Sequence, residues 1–240
     1  MQRICSEDSI FRKGLRILQP DKGYRFSVDA ILLANFIHTI PTDEILEVGS
    51  GSGVVTILLA ALQTFQSVVT VEIQPELANL CRLNFKRNRI AHATVYAADM
   101  KKLNSYVASH SLDLIYSNPP YRKTGTGKLN PSAQKAIARH ELMMKLEDLF
   151  VCAETFLKPE GRLTVILPYF REKDFNHLTE EFGMHWREHQ YVHSFAGKPP
   201  VLFLATISRK KSPFKELQPI SIYEEAGKYT ERMNVMLGEK

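Results

Sequence analysis

"EILEVGSGSGVVTILLAALQ", Glu44 to Gln63, is the stretch on which the fold turns. It opens with strand composition and closes on apolar residues at helical spacing, and between the two Gly49, Gly51 and Gly53 stand at alternate positions. Glycines have no Cβ to obstruct a tight turn, so a strand here passes directly into a helix. The alternation continues downstream. "SVVTVEI" reads as a strand, "PELANLCRLNFKRN" as a helix opened by Pro75 in its first turn, "ATVYAAD" and "LDLIYSN" as strands, "ELMMKLEDLFVCAETFL" as a long helix and "GRLTVILP" as a strand. Strands rich in Val, Ile and Leu that alternate with helices imply a parallel sheet covered on both faces. Upstream, "FSVDAILLANFIHTI" predicts a helix with Ser27 or Asp29 at its cap. Downstream, the short "AGKPP" link between "HQYVHSF" and "PVLFLATISR" predicts an antiparallel pair at the sheet edge. The expected fold class is α/β: a seven-stranded, mostly parallel, Rossmann-like sheet with one antiparallel edge strand and helices on both faces. A single domain is expected, with an N-terminal extension and helix over 1–43, a core over 44–208 and an extension over 209–240 whose "SIYEEAGKYTERMNVML" reads as a final helix or turn.

Composition narrows the class. The 240 residues are 44% hydrophobic and 24% charged, close to an average globular domain, so disordered and coiled-coil readings drop out. No apolar run has the length of a membrane span or of a signal-peptide core, and a cytoplasmic protein is expected. Cys5, Cys81 and Cys152 are scattered and odd in number, which suits reduced thiols better than a disulfide framework or a zinc site. His185, His189 and His193 recur every four residues in a segment that does not favour a helix, so no metal site is expected from them. The net charge of +5 is compatible with a polyanionic partner. Acid-free basic clusters stand out: Arg122, Lys123, Lys128, Lys135 and Arg139 together; Arg209, Lys210, Lys211 and Lys215 together; and Arg12, Lys13, Arg16, Lys22 and Arg25 near the N-terminus. Each could equally be a solvated surface.

Ligands of open α/β sheets bind beyond the carboxyl ends of the strands, near the point where strand order reverses. At those ends stand Glu47 with the three glycines, then Glu72, then Asp99, then Asn118 in "SNPPY" (Ser117 to Tyr121). The glycines alone are weak evidence of a nucleotide, and a dinucleotide fingerprint would need a third glycine or alanine where Val54 stands. Glu47 would repel a pyrophosphate yet attract a cation. Glu72 can hold both hydroxyls of a ribose, and Asp99 can accept from the amine of an adenine. A ligand with a ribose, an adenine and a cationic amino-acid end fits this set better than NAD does. That description matches S-adenosylmethionine.

"LEVGSGSG", "VEI", "AAD" and "SNPPY", in this order and spacing, resemble class I S-adenosylmethionine-dependent methyltransferases over residues 27 to 208. The resemblance implies a cofactor set of Asp29, Glu47, Gly49, Gly51, Gly53, Glu72, Asp99, Met100 and Asn118, and a catalytic corner of Asn118, Pro119, Pro120 and Tyr121. In that family the N-P-P-Y corner is associated with methylation of a planar nitrogen. An adenine amine is a poor nucleophile because its lone pair spreads into the ring. Acceptance of its two N–H groups by the Asn118 amide oxygen and the Pro119 carbonyl would let the nitrogen pyramidalise, with Tyr121 as a stacking face for the extruded base. DNA, RNA and protein-amide methyltransferases share the motif. The strand beginning at Glu44 leaves no room ahead of it for the helical domain of the glutamine enzymes, and no separate target-recognition domain is visible. A compact domain with a basic rim favours structured RNA. "FSVDAILLANF", "SNPPY" with its basic loop and "ARHEL", "FAGKPP" and "GKYT" are similar to bacterial tRNA (adenine-N6)-methyltransferases that act on valine tRNA beside the anticodon, although "NVMLGEK" lacks the aromatic ending of those proteins. The resemblance implies a tRNA partner, with Arg122, Lys123, Lys128, Arg209, Lys210 and Lys211 as candidate phosphate contacts. Guanine in ribosomal RNA, a protein glutamine amide, and a non-catalytic RNA-binding module are the other readings.

Overall fold

The computed structural model describes residues 14–20, 27–119 and 145–238, and the backbone of 5–10. The chain opens with an antiparallel hairpin, β1 (Cys5–Ile10) and β2 (Leu15–Pro20), which forms a separate two-stranded sheet. Helix α1 (Val28–Phe36) follows, then β3 (Glu44–Val48), α2 (Val54–Leu62), β4 (Ser67–Glu72), α3 (Pro75–Arg87), β5 (Ala93–Ala97) and β6 (Leu112–Ser117). The second half runs α4 (Leu146–Phe156), β7 (Leu157–Pro168), α5 (Glu172–Glu181), β8 (His185–Phe195), β9 (Pro200–Ser208), β10 (Lys215–Glu216), β11 (Ile220–Glu225), β12 (Lys228–Tyr229) and α6 (Glu231–Met236). None of the described helices is long and apolar enough to cross a membrane.

Among the described residues the main sheet has ten strands, in the order β12-β11-β8-β9-β7-β6-β3-β4-β5 with β10 beside β8. Strands β3 to β7 pair in parallel. From β3 the chain moves outward through β4 and β5, then returns to lay β6 on the other flank of β3, so strand order reverses between β3 and β6. Side chains alternate across the layer as the strand period of two requires. Ile45, Leu114, Tyr116 and Ile166 face a core shared with α1, α2 and α3; Leu46, Ile115, Val165 and Leu167 face one shared with α4 and α5.

The expected seven-stranded sheet needs two corrections. Strand β9 is antiparallel to both β7 and β8, but this pair is not the edge, because β11 adds in parallel to β8 and β12 pairs antiparallel with β11. The tail expected as a helix or turn therefore begins as strands. Ile220 and Ile222 are buried with half-buried Ser221 between them, a period of two, and helical spacing holds only over α6. The start of the long helix expected from Glu141 lies outside the described residues. The three histidines sit on β8, where four residues span about 13 Å, too far for neighbours to share one ion. Cys81 and Cys152 are buried free thiols, and burial pushes each up to about 12.

The N-terminal hairpin was not foreseen, since "CSEDSI" lacks an apolar alternation. It is held to α3 by amides. Asn84 is fully buried; its Oδ1 accepts from the Leu18 N–H at 2.8 Å, and its Nδ2 donates to the carbonyls of Leu18 at 2.9 Å and Ser52 at 2.8 Å. One turn on, Asn88 repeats the pattern on the Arg16 N–H and carbonyl at 3.1 and 2.9 Å. Four helical residues advance about 6 Å and two strand residues about 6.6 Å, so the side-chain amides act as a neighbouring strand would. Asn84→Ala leaves Leu18 and Ser52 backbone groups without these partners. It should destabilise the protein by about 2–4 kcal/mol in urea denaturation, and an unchanged midpoint would count against the bridge.

Candidate active site

The register brings the four strand ends into one row. Ser117 lies opposite Val48, Val48 opposite Val71, and Glu72 opposite Ala97, so Asn118, Gly49 and Glu72 follow at nearly one level, with Asp99 just beyond β5. Three strand spacings make this row about 14 Å long, at the reversal point between β3 and β6 where open sheets hold ligands.

The glycine loop turns in the left-handed region, with φ of 73°, 54° and 82° at Gly49, Gly51 and Gly53. The Gly49 and Ser50 N–H groups donate to the Val71 carbonyl at 2.9 and 3.2 Å, which folds the loop over the end of β4. Gly53 has a packing role that the motif did not suggest. A Cβ there would lie 2.7 Å from both Cys81 Sγ and Phe85 Cε1, so its bareness lets α2 begin against α3. Ser52 Oγ is buried with no hydrogen-bond partner among the described residues, a polar atom next to the loop that sequence reasoning passed over.

Glu72 is only 5% exposed, and each carboxylate oxygen accepts one backbone N–H, Oε2 from Gly51 and Oε1 from Gln74, both at 2.9 Å. One lone pair on each oxygen remains for the two hydroxyls of a ribose. Asp99 accepts from the Lys101 N–H at 3.0 Å as the cap of a short turn, which leaves its second oxygen for an amine donor, and Met100 is buried beside it. Asp29 lies in the first turn of α1; burial raises its pKa, and a hydrogen bond with Ser27 opposes the rise. The carboxylate acceptors and the bare loop thus fit an adenosine with its ribose.

Glu47 is placed deeper than a cleft-lining acid. It is 3% exposed, turned under the loop, and accepts from Thr56 Oγ1, which in turn lies 2.7 Å from the fully buried Tyr116 hydroxyl. Thr56 and Tyr116 are members of this cluster that no motif marked. Burial, followed by the nearby Glu72 charge, lifts the Glu47 carboxyl to about 8 against the hydrogen bond from Thr56, so in the free protein it is mostly protonated at neutral pH.

On the far side of the reversal point, the Ser117 hydroxyl donates to the Val48 carbonyl at 2.9 Å and fastens the end of β6 to the end of β3. Half-buried Asn118 and buried Pro119 follow directly. Pro120, Tyr121, Arg122, Lys123 and Lys128 lie outside the described residues. Arg209, Lys210 and Lys211 are not brought to the cleft. They follow β9, whose Ser208 pairs with Arg162 near the amino edge of the sheet, and Arg209 and Lys210 pair with Glu154 and Glu160 at 3.3 and 2.6 Å.

The Glu47 carboxyl makes a pH prediction. Its pKa is raised on folding, so its contribution to stability is complete below 4.5 and is lost as pH rises towards about 8. In that window the free wild-type protein should lose stability relative to Glu47→Gln at up to about 1.4 kcal/mol per pH unit. Parallel pH profiles of the two in chemical denaturation would refute the burial of a neutral acid.

Comparison with known proteins agrees with this architecture. Among solved structures, a predicted O-methyltransferase from Agrobacterium tumefaciens superposes with a TM-score of 0.67 at 18% identity, covering 88% of this chain and 98% of that one. P. horikoshii TYW2, solved in complex with MeSAdo, gives a TM-score of 0.57 at 13% identity over 86% of this chain and 72% of that one. These likenesses concern the fold. In sequence, the tRNA1(Val) (adenine(37)-N6)-methyltransferase of Shewanella amazonensis is 30% identical over 218 residues, 89% of this chain and 90% of the relative. The model of the Methyltransferase small domain matches residues 21–191. With its glycine loop, Glu72 and Asn118 aligned across the reversal point of a parallel sheet, the chain belongs to the Methyltransferase small domain family.

Proposed function

We propose that the protein methylates the exocyclic N6 amine of an adenosine in tRNA, with S-adenosylmethionine as methyl donor, at the position beside the anticodon of valine tRNA. The observation that carries this reading is the alignment of the Asn118–Pro119 corner with the glycine loop and Glu72, fixed by the Ser117 bond to Val48. The substrate assignment is supported by relatives named tRNA1(Val) (adenine(37)-N6)-methyltransferase, which match over most of the chain.

Bound S-adenosylmethionine would supply a methyl group already activated on a sulfonium. The protein's part is positioning and electrostatics. Glu72 would hold the ribose hydroxyls, Asp99 the adenine amine, and the bare Gly49–Gly51 backbone would let the chain approach the ligand closely. Glu47, neutral when the site is free, would be drawn towards its ionised form by a cationic amino end nearby. On the substrate side, the Asn118 oxygen and the Pro119 carbonyl would accept the two N–H groups of the target amine and turn its lone pair towards the methyl. Proline restricts the backbone that carries the one acceptor, and the other directly follows the end of β6.

Asn118→Ala should lower N6-methyladenosine formation on unmodified valine tRNA by at least about 100-fold, the scale of losing one preorganised polar group. Nucleoside mass spectrometry reads that loss, and calorimetry should find S-adenosylmethionine binding nearly unchanged. Full retained methylation would remove Asn118 from its assigned role.

A further inference from the structure

The carboxyl edge of the sheet continues past the catalytic corner. Strand β7 pairs with β6 with Val165 opposite Ser117, about 4.8 Å across, and runs three residues further to end at Pro168. The chain then makes a short turn, Tyr169–Arg171, on which Tyr169 and Phe170 stand 42% and 52% exposed. Two adjacent large rings at the lip of a site differ from the scattered apolar residues of an ordinary surface. Tyr169 is also braced. Its ring meets Tyr191 in a T-shaped contact with centroids 5.8 Å apart, and the Tyr191 hydroxyl donates to Glu172 at 2.9 Å. The exposed lysines Lys173, at the start of α5, and Lys198, in the β8–β9 turn, lie on the same edge.

We propose that Tyr169 and Phe170 form a stacking ledge for the unpaired nucleobases that adjoin the target adenosine. The inference rests on the tRNA reading above. When one base leaves its stack, the flanking bases lose a neighbour and expose a π-face. Aromatic side chains restore that contact without regard to sequence, at roughly ten-fold in affinity per base. The two lysines supply the charge that a phosphate backbone seeks. The ledge follows the strand next to the corner on the same sheet edge, so a base seated in the corner directs its neighbours towards these rings.

The test uses the full-length protein and the anticodon stem-loop of valine tRNA, with 2-aminopurine beside the target adenosine for the fluorescence arm. The double variant Tyr169→Ala/Phe170→Ala should raise the KM for RNA about ten-fold or more while kcat and S-adenosylmethionine affinity stay close to wild type. Binding to wild type or to Tyr169→Phe should quench the 2-aminopurine by stacking, and binding to the double variant should not. An unchanged KM and quench in the double variant, with wild type active on the RNA, overturns the ledge alone. Wild-type protein that methylates no tRNA overturns the tRNA assignment and the ledge with it.

Discussion

The hydrogen bond from the Gly51 N–H to the Glu72 carboxylate is the constraint around which the site is organised. It joins the loop after one strand to the end of the next, and it works only because Gly51 holds a φ of 54°, a conformation that side-chain-bearing residues disfavour. From it follow the path of the loop, the start of α2 and the direction of the unused lone pairs on Glu72. The Gln74 N–H fixes the second carboxylate oxygen, so the acid faces the ligand side already ordered. An acid that keeps one geometry loses little freedom when a ribose arrives.

Below this surface the protein maintains a buried polar chain of Glu47, Thr56 and Tyr116 on the face of the sheet that α1, α2 and α3 cover. Its physical logic is charge avoidance. Two carboxylates, Glu47 and Glu72, end adjacent strands, and the inner one stays neutral because ionising it would set a second negative charge in a low-dielectric setting. The proton on Glu47 is thereby linked to the charge of whatever occupies the cleft. The asparagine ladder of α3 adds an outer restraint, since Asn84 grips the N-terminal hairpin with one side of its amide and the Ser52 carbonyl of the glycine loop with the other.

Much of this was legible in order along the chain. Strands β3 to β6 and helices α1 to α3 stand in the sequence as alternating apolar segments, and each strand end carries a residue whose chemistry is plain from its type. Legibility failed where a local pattern depends on a distant partner. "SIYEE" becomes a strand because β8 presents an open flank to it, and "CSEDSI" becomes one because β2 and α3 support the hairpin. Arg209 and Lys210 look like an RNA track in the sequence, but the antiparallel course of β9 carries them to the other edge, where glutamates pair with them.

The sequence by itself determined the α/β class, the position of the glycine loop and the acids and amide at four strand ends, because these follow from side-chain period and from the conformational freedom of glycine and proline. Tertiary structure alone decided which of those groups meet and in what state. Gly53 serves helix contact as much as loop geometry, Glu47 is buried and neutral, and Tyr169 and Phe170 follow the strand next to the one that Asn118 ends, although 50 residues separate Tyr169 from Pro119 in the chain. Strand order and burial set these outcomes, and both depend on contacts between segments that no local window contains.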